Sequence, residues 1–305
     1  MLVFAISDKG GTGRSVTSCN LAYRLSLKGK NVAYVDFDFG SPTAGALFEI
    51  GGKERGVPGG IGLHSYLLDL NGVASQFDVR ATTDRIDLRK VSARAGRLVL
   101  FPGDEGGAEF ATIDDGMVQR CADLLVALED EFKVSIVDLS AGRSVAAQLV
   151  LKATTLPQLR LKTVRWLVFH RWTRQHIVAA NGLVHGPHGL VHTGTEYGHD
   201  RAKLLGSIRY VRTAVGDPNR GDGSGGPAQA TWVQEQNRAL RDLANRNQLG
   251  SSATLGITPI EPVLLWREQI ILDKDVTAKI ANAETAVAFS ELARRLDDSA
   301  SWERV

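Results

Sequence analysis

The stretch SDKGGTGRSVTS, residues 7–18, decides how the rest of the chain is read. It follows a short apolar run, LVFAIS (2–7), and opens an amphipathic segment at 14–28. Strand, glycine-rich loop, helix is the order that brings backbone N–H groups and a helix N-terminus to one anion. Gly10, Gly11 and Gly13 leave the backbone free to wrap phosphate oxygens, with Thr12 between them. Ser15 stands where a hydroxyl would ligate Mg²⁺, and Val16 completes the candidate cofactor-binding run. The usual loop ends in Gly-Lys-Ser/Thr; here Gly13 is followed by Arg14, and the lysine, Lys9, comes five positions earlier. Arginine keeps the positive charge and grips phosphate with two parallel bonds, but it is longer and planar.

Outward from this loop, apolar β-branched runs alternate with amphipathic ones. Strands are expected at 2–7, 31–36, 97–102, 133–139, 165–170, 206–211 and 253–258, and helices at 14–28, 114–130, 172–184, 231–247 and 284–297. Continuous apolar runs suit a sheet buried on both faces. The fold class is therefore α/β: a doubly wound, mostly parallel sheet with helices on both faces. A single domain is expected over 1–305, with flexible loops at about 51–60 and 214–230, where Gly and Pro accumulate.

Two later strands end in acids. NVAYVDFDFG closes with Asp36 and Asp38, and FKVSIVDLSAGRS (132–144) carries Asp138 and, four residues on, Gly142. Carboxylates at strand C-terminal ends face the crevice where a doubly wound sheet binds phosphates.

KGGTGRS resembles the deviant Walker A motif, KGGxGK[ST], of the MinD/ParA family of P-loop ATPases. The resemblance covers most of 1–150 through its motifs, and 250–298 by pattern alone. It implies that Lys9 reaches across a nucleotide-sandwiched homodimer to the partner's phosphates, while Arg14 holds those of its own subunit. It implies ATP and Mg²⁺ as cofactors, with Asp36 near the metal, Asp38 orienting the attacking water, and Asp138 and Ser15 holding the ion. Gly142 matches the glycine whose N–H senses the γ-phosphate. The implied function is an ATP-dependent dimerisation switch, slow in hydrolysis, that positions or regulates an activating or cargo protein, or DNA.

Composition narrows the setting. There are 36 Lys+Arg against 34 Asp+Glu, so net charge says little about partners. Cys19 and Cys121 sit in helical patterns, which argues for a reducing compartment and a cytoplasmic protein. No apolar run reaches the roughly 18–20 residues of a membrane helix, and the tail ARRLDDSASWERV lacks a MinD-type membrane helix. His185, His188, His192 and His199 cluster among Gly and Pro without an accompanying cysteine, a poor metal set. From 139 to 195 there is no Asp or Glu, while Arg143, Lys152, Arg160, Lys162, Arg165, Arg171 and Arg174 all occur. Arg14 and this charge asymmetry leave two further readings beside the switch, one from each. One is a nucleotide-binding regulator or scaffold of weak or absent turnover. The other is a nonspecific DNA-binding module that uses this stretch, from Lys152 to Arg174.

Overall fold

The computed structural model describes residues 1–92, 94–216 and 227–303. Its core is an eight-stranded sheet: β1 (Leu2–Ser7), β2 (Val32–Phe37), β3 (Phe77–Asp78), β4 (Leu98–Phe101), β5 (Val134–Leu139), β6 (Val164–Arg171), β7 (Ile208–Val215) and β8 (Thr254–Pro259). The spatial order is β3-β4-β2-β5-β1-β6-β7-β8, and every pairing is parallel except β3 against β4. All seven expected strands form. The eighth, β3, is two residues long and carries no periodicity to be read.

Strands β1, β2 and β5 are buried at every residue, so helices must cover both faces. Alternate side chains of β1 separate two cores. Leu2, Phe4 and Ile6 pack with Cys121 and Leu125 of helix Asp115–Glu131, Leu149 of helix Val145–Ala153 and Leu183 of helix Arg174–His185. Val3 and Ala5 pack with Leu21 and Leu25 of helix Arg14–Leu27, Leu292 of helix Ala283–Asp297, and Trp302. Both cysteines are free thiols buried in these cores.

β1 lies between β5 and β6, and the strand order reverses around it. That makes the C-terminal end of β1 the switch point where such sheets bind ligands. The glycine-rich loop leaves the sheet there.

Some connections differ from expectation. The Gly/Pro-rich segment 51–60 is docked: Val57 is buried, its N–H donates to the Gly103 carbonyl at 2.8 Å, and its carbonyl accepts from Glu105 at 2.9 Å. Gly45 makes room for this segment, because a Cβ there would stand 1.8 Å from the Lys53 carbonyl oxygen. Of the second expected loop, residues 217–226 lie outside the described residues. The histidine-rich segment after 185 contains helices Leu190–Glu196 and Arg201–Gly206, which its glycines had concealed.

Candidate nucleotide site at the end of β1

Gly11 and Gly13 both take left-handed backbone, at φ 70° and 73°, and turn the chain from β1 into helix Arg14–Leu27. Nothing lies within 4 Å of a Cβ built on Gly10 or Gly11, so the loop surrounds open space. Among the described residues, no N–H from Lys9 through Val16 finds an acceptor; the first bond into the helix is Thr17 N–H to the Gly13 carbonyl at 2.9 Å. The Thr12 hydroxyl is buried with no partner. A run of donors without protein acceptors at a helix N-terminus is the arrangement that binds an anion. On that ground the loop fits a nucleotide's phosphates.

The loop is braced from outside the motif. Thr213, at the bulge where β7 leaves its register with β8, donates to the carbonyls of Thr12 and His170. Asp8 pairs with Arg143 at 3.3 Å, and the Gly142 N–H donates to the Ser7 carbonyl at 2.7 Å, with Gly142 at φ 79°. Gly142 thus lies against the loop, with its N–H engaged by backbone.

Arg14 turns inward and is 6% exposed. Its Nε donates to Asp138 Oδ1 at 2.5 Å, and its Nη2 to Asp38 Oδ2 at 2.7 Å and the Ser15 hydroxyl at 3.4 Å. Burial alone would depress the guanidinium's pKa; the attraction of Asp138 and Asp38 overrides it and raises the pKa further. Asp138 Oδ2 in turn accepts from the Tyr34 hydroxyl at 2.9 Å. Asp36, opposite Asp138 in the β2–β5 register, accepts backbone N–H from Ala44 at 3.0 Å and Asp38 at 3.3 Å. Burial, with Asp138 and Asp38 nearby, pushes its carboxyl up to about 8.

The structure therefore brings together Arg14, Ser15, Asp36, Asp38 and Asp138, with the loop glycines and Thr12 above them. Lys9 is exposed and its side chain has no partner among the described residues. Ser15 and Asp138 are hard oxygen donors of the kind Mg²⁺ takes. Both now contact the guanidinium, so a cation fits there only when Arg14 withdraws. Tyr34 and Thr213 were missed by motif reasoning. Tyr34 hides in an apolar strand run, VAYVD (32–36), where its hydroxyl is the one polar side-chain group before Asp36.

The acid-free stretch does not form one face. Arg165 and Arg171 stand near opposite ends of β6, about 20 Å apart at roughly 3.3 Å per residue. Acids from elsewhere meet several of its cations: Lys152 pairs with Asp115 at 3.0 Å, and Lys162 lies 3.8 Å from Glu129 and 3.6 Å from Asp130. Among the described residues no three His, Cys, Asp or Glu side chains gather as a metal set, and His192 instead pairs with Glu196 at 3.4 Å along its helix. No helix of the described residues is long and apolar enough to cross a membrane.

A mostly parallel doubly wound sheet with a glycine loop between its central strand and first helix is a P-loop nucleotide-binding fold. Residues 3–215 match the family model of the CobQ/CobB/MinD/ParA nucleotide-binding domain, and the chain belongs to that family. It is 28% identical over 142 residues to the septum site-determining protein MinD of Synechocystis, a match covering 46% of this chain and 45% of that protein. The chain thus matches about half the length of that curated relative. The MinC:MinD cell division complex of Aquifex aeolicus shares the fold with a TM-score of 0.59 at 16% identity, over 97% of this chain and 95% of that one. A plasmid partition protein of Borrelia burgdorferi bound to AMPPNP shares it at 0.56 and 14%, over 97% of each chain.

Proposed function

We propose that the chain, folded as one domain, is an ATP- and Mg²⁺-dependent dimerisation switch that positions or regulates a partner. The observation that carries this reading is the run of donors from Lys9 to Val16 without protein acceptors among the described residues, beside an arginine that bridges two acids. A triphosphate entering the loop offers Arg14 a stronger anion than either carboxylate and draws it away. Asp138 and Ser15 are then free to hold Mg²⁺, with Asp36 behind them, and Asp38 is free to orient the attacking water. Bound Mg²⁺ would neutralise charge on the phosphate oxygens. The exposed, unpartnered Lys9 suits a reach to phosphates in a second copy, and Gly142 would exchange the Ser7 carbonyl for the γ-phosphate. Hydrolysis is slow because Arg14 must leave both acids before the site is competent, and an activating partner would speed it. Two buried free thiols suit a cytoplasmic setting.

Sedimentation with ATP analogue and Mg²⁺, against ADP and Mg²⁺, tests the switch. A mass shift to the dimer with the analogue alone is expected; identical masses in both would end the reading.

A nucleotide-binding regulator with little turnover is the second reading, and the double grip on Arg14 favours it. Asp38→Ala separates the two, since a switch loses measurable turnover and a silent regulator has none to lose. DNA as partner through Lys152 to Arg174 draws less support, because those cations are divided between two ends of the sheet.

A further inference from the structure

The edge of the guanidinium that Arg14 turns to its acids is divided between them. Nε and Nη2 lie side by side on one edge of an arginine, spaced to meet both oxygens of a single carboxylate. Here Nε donates to Asp138 Oδ1 at 2.5 Å and Nη2 to Asp38 Oδ2 at 2.7 Å, so neither acid receives the pair. Asp138 Oδ2, the oxygen that would complete the fork, accepts instead from the Tyr34 hydroxyl at 2.9 Å.

The fold holds Tyr34 in that position. Alternation along β2 and β5 puts Tyr34, Asp36, Ile136 and Asp138 on one face of the sheet, the face covered by helix Arg14–Leu27. Tyr34 stands opposite Ile136 in the register, and Asp36 opposite Asp138. The tyrosine ring is fully buried and meets Phe48 edge to face at 5.4 Å. A further neighbour of the hydroxyl is the buried Cys19 thiol, a weak hydrogen-bonding group. The carboxylate is the stronger acceptor, and the hydroxyl is committed to it. A buried carboxylate oxygen left bare is costly, so loss of the hydroxyl favours an Asp138 that takes Nη2 as well as Nε. Two parallel bonds to one acid grip a guanidinium more tightly than one bond to each of two.

We propose that Tyr34 is a positioning residue for the nucleotide site: by occupying Asp138 Oδ2 it splits the Arg14 fork between two acids and keeps Arg14 releasable. This rests on the switch proposed above, in which a nucleotide draws Arg14 away from both carboxylates. Tyr34 acts through Asp138, from beneath the site.

Calorimetric titration with AMPPNP and Mg²⁺ tests the proposal on wild type, Tyr34→Phe, Arg14→Lys and the double variant. Tyr34→Phe removes one oxygen and keeps the ring, and thermal unfolding checks that all four proteins are folded. Tyr34→Phe is expected to weaken binding about fivefold or more beside Arg14, which can close its fork on Asp138. Arg14→Lys has no fork to close; it is expected to bind AMPPNP, and beside it Tyr34→Phe should change affinity by less than about twofold. A hydroxyl that merely supports the fold would act alike in both backgrounds. Wild type that takes up no AMPPNP would end the proposed switch and this inference with it. Where wild type binds, an equal effect of Tyr34→Phe in the two backgrounds, no effect in either, or an Arg14→Lys protein that fails to bind would overturn this inference alone.

Discussion

In the proposed switch Arg14 faces two tasks that pull it in opposite directions: holding phosphate and holding acids. Its planar fork satisfies Asp138 and Asp38 together, which a lysine's single ammonium cannot do as well. Arg14→Lys is therefore expected to loosen one of the two carboxylates and raise ATP turnover several-fold; steady-state phosphate release checks this, and a fall would contradict it. Tyr34→Phe removes the only hydrogen bond that the described residues make to Asp138 Oδ2 in a dry site. A loss of about 1–3 kcal/mol in denaturant unfolding is expected. His170 gives a pH signature. Burial lowers its pKa to about 4, and its Nε2 has no partner. The unfolded chain binds this proton below about pH 6.5 while the fold refuses it, so stability falls as pH drops from about 6.5 to about 4, by roughly 3 kcal/mol. His170→Gln should flatten that slope in unfolding curves recorded across pH. At this scale the sequence displayed the loop, Asp36, Asp38 and Asp138, because each is a polar residue at the end of an apolar run. Tyr34 and Thr213 act from within strands, and only the fold brings them to Asp138 and Thr12.

The elements were legible where their hydrophobic runs were long. β1, β2 and β5 read as buried strands because every position is apolar, small or a terminal acid. Helix Leu190–Glu196 was not legible, since LVHTGTE carries a glycine and little apolar repeat and owes its helix to packing on its neighbours. The packing of helix Ala283–Asp297 on β8 can be tested as a unit. A Cβ on Gly256 would lie 2.8 Å from Leu292 Cγ, and Leu292 is buried. Gly256→Ala and Leu292→Ala should each destabilise, the latter by about 2–5 kcal/mol. The double variant should lose less than the sum, because the smaller side chain accepts the new methyl. Strict additivity in chemical denaturation would contradict this contact.

At the scale of the whole molecule, the reversal of strand order around β1 gathers the ends of β1, β2 and β5 into one crevice. Three short motifs, at residues 9–16, 36–38 and 138–142, thereby become one site. The alternation of strands and helices made this legible from the sequence. The division of the acid-free stretch between two ends of the sheet was not, because linear charge runs do not record which end of a strand they occupy. The central claim is that the loop binds a nucleoside triphosphate and that binding releases Asp38 and Asp138 from Arg14. A crystal structure with a non-hydrolysable ATP analogue and Mg²⁺ tests it most directly. The prediction is a triphosphate held by the N–H groups of residues 10–16, with the Arg14 guanidinium on phosphate and both carboxylates freed. A loop without nucleotide at saturating analogue, or Arg14 still bridging Asp38 and Asp138 beneath a bound one, would contradict it.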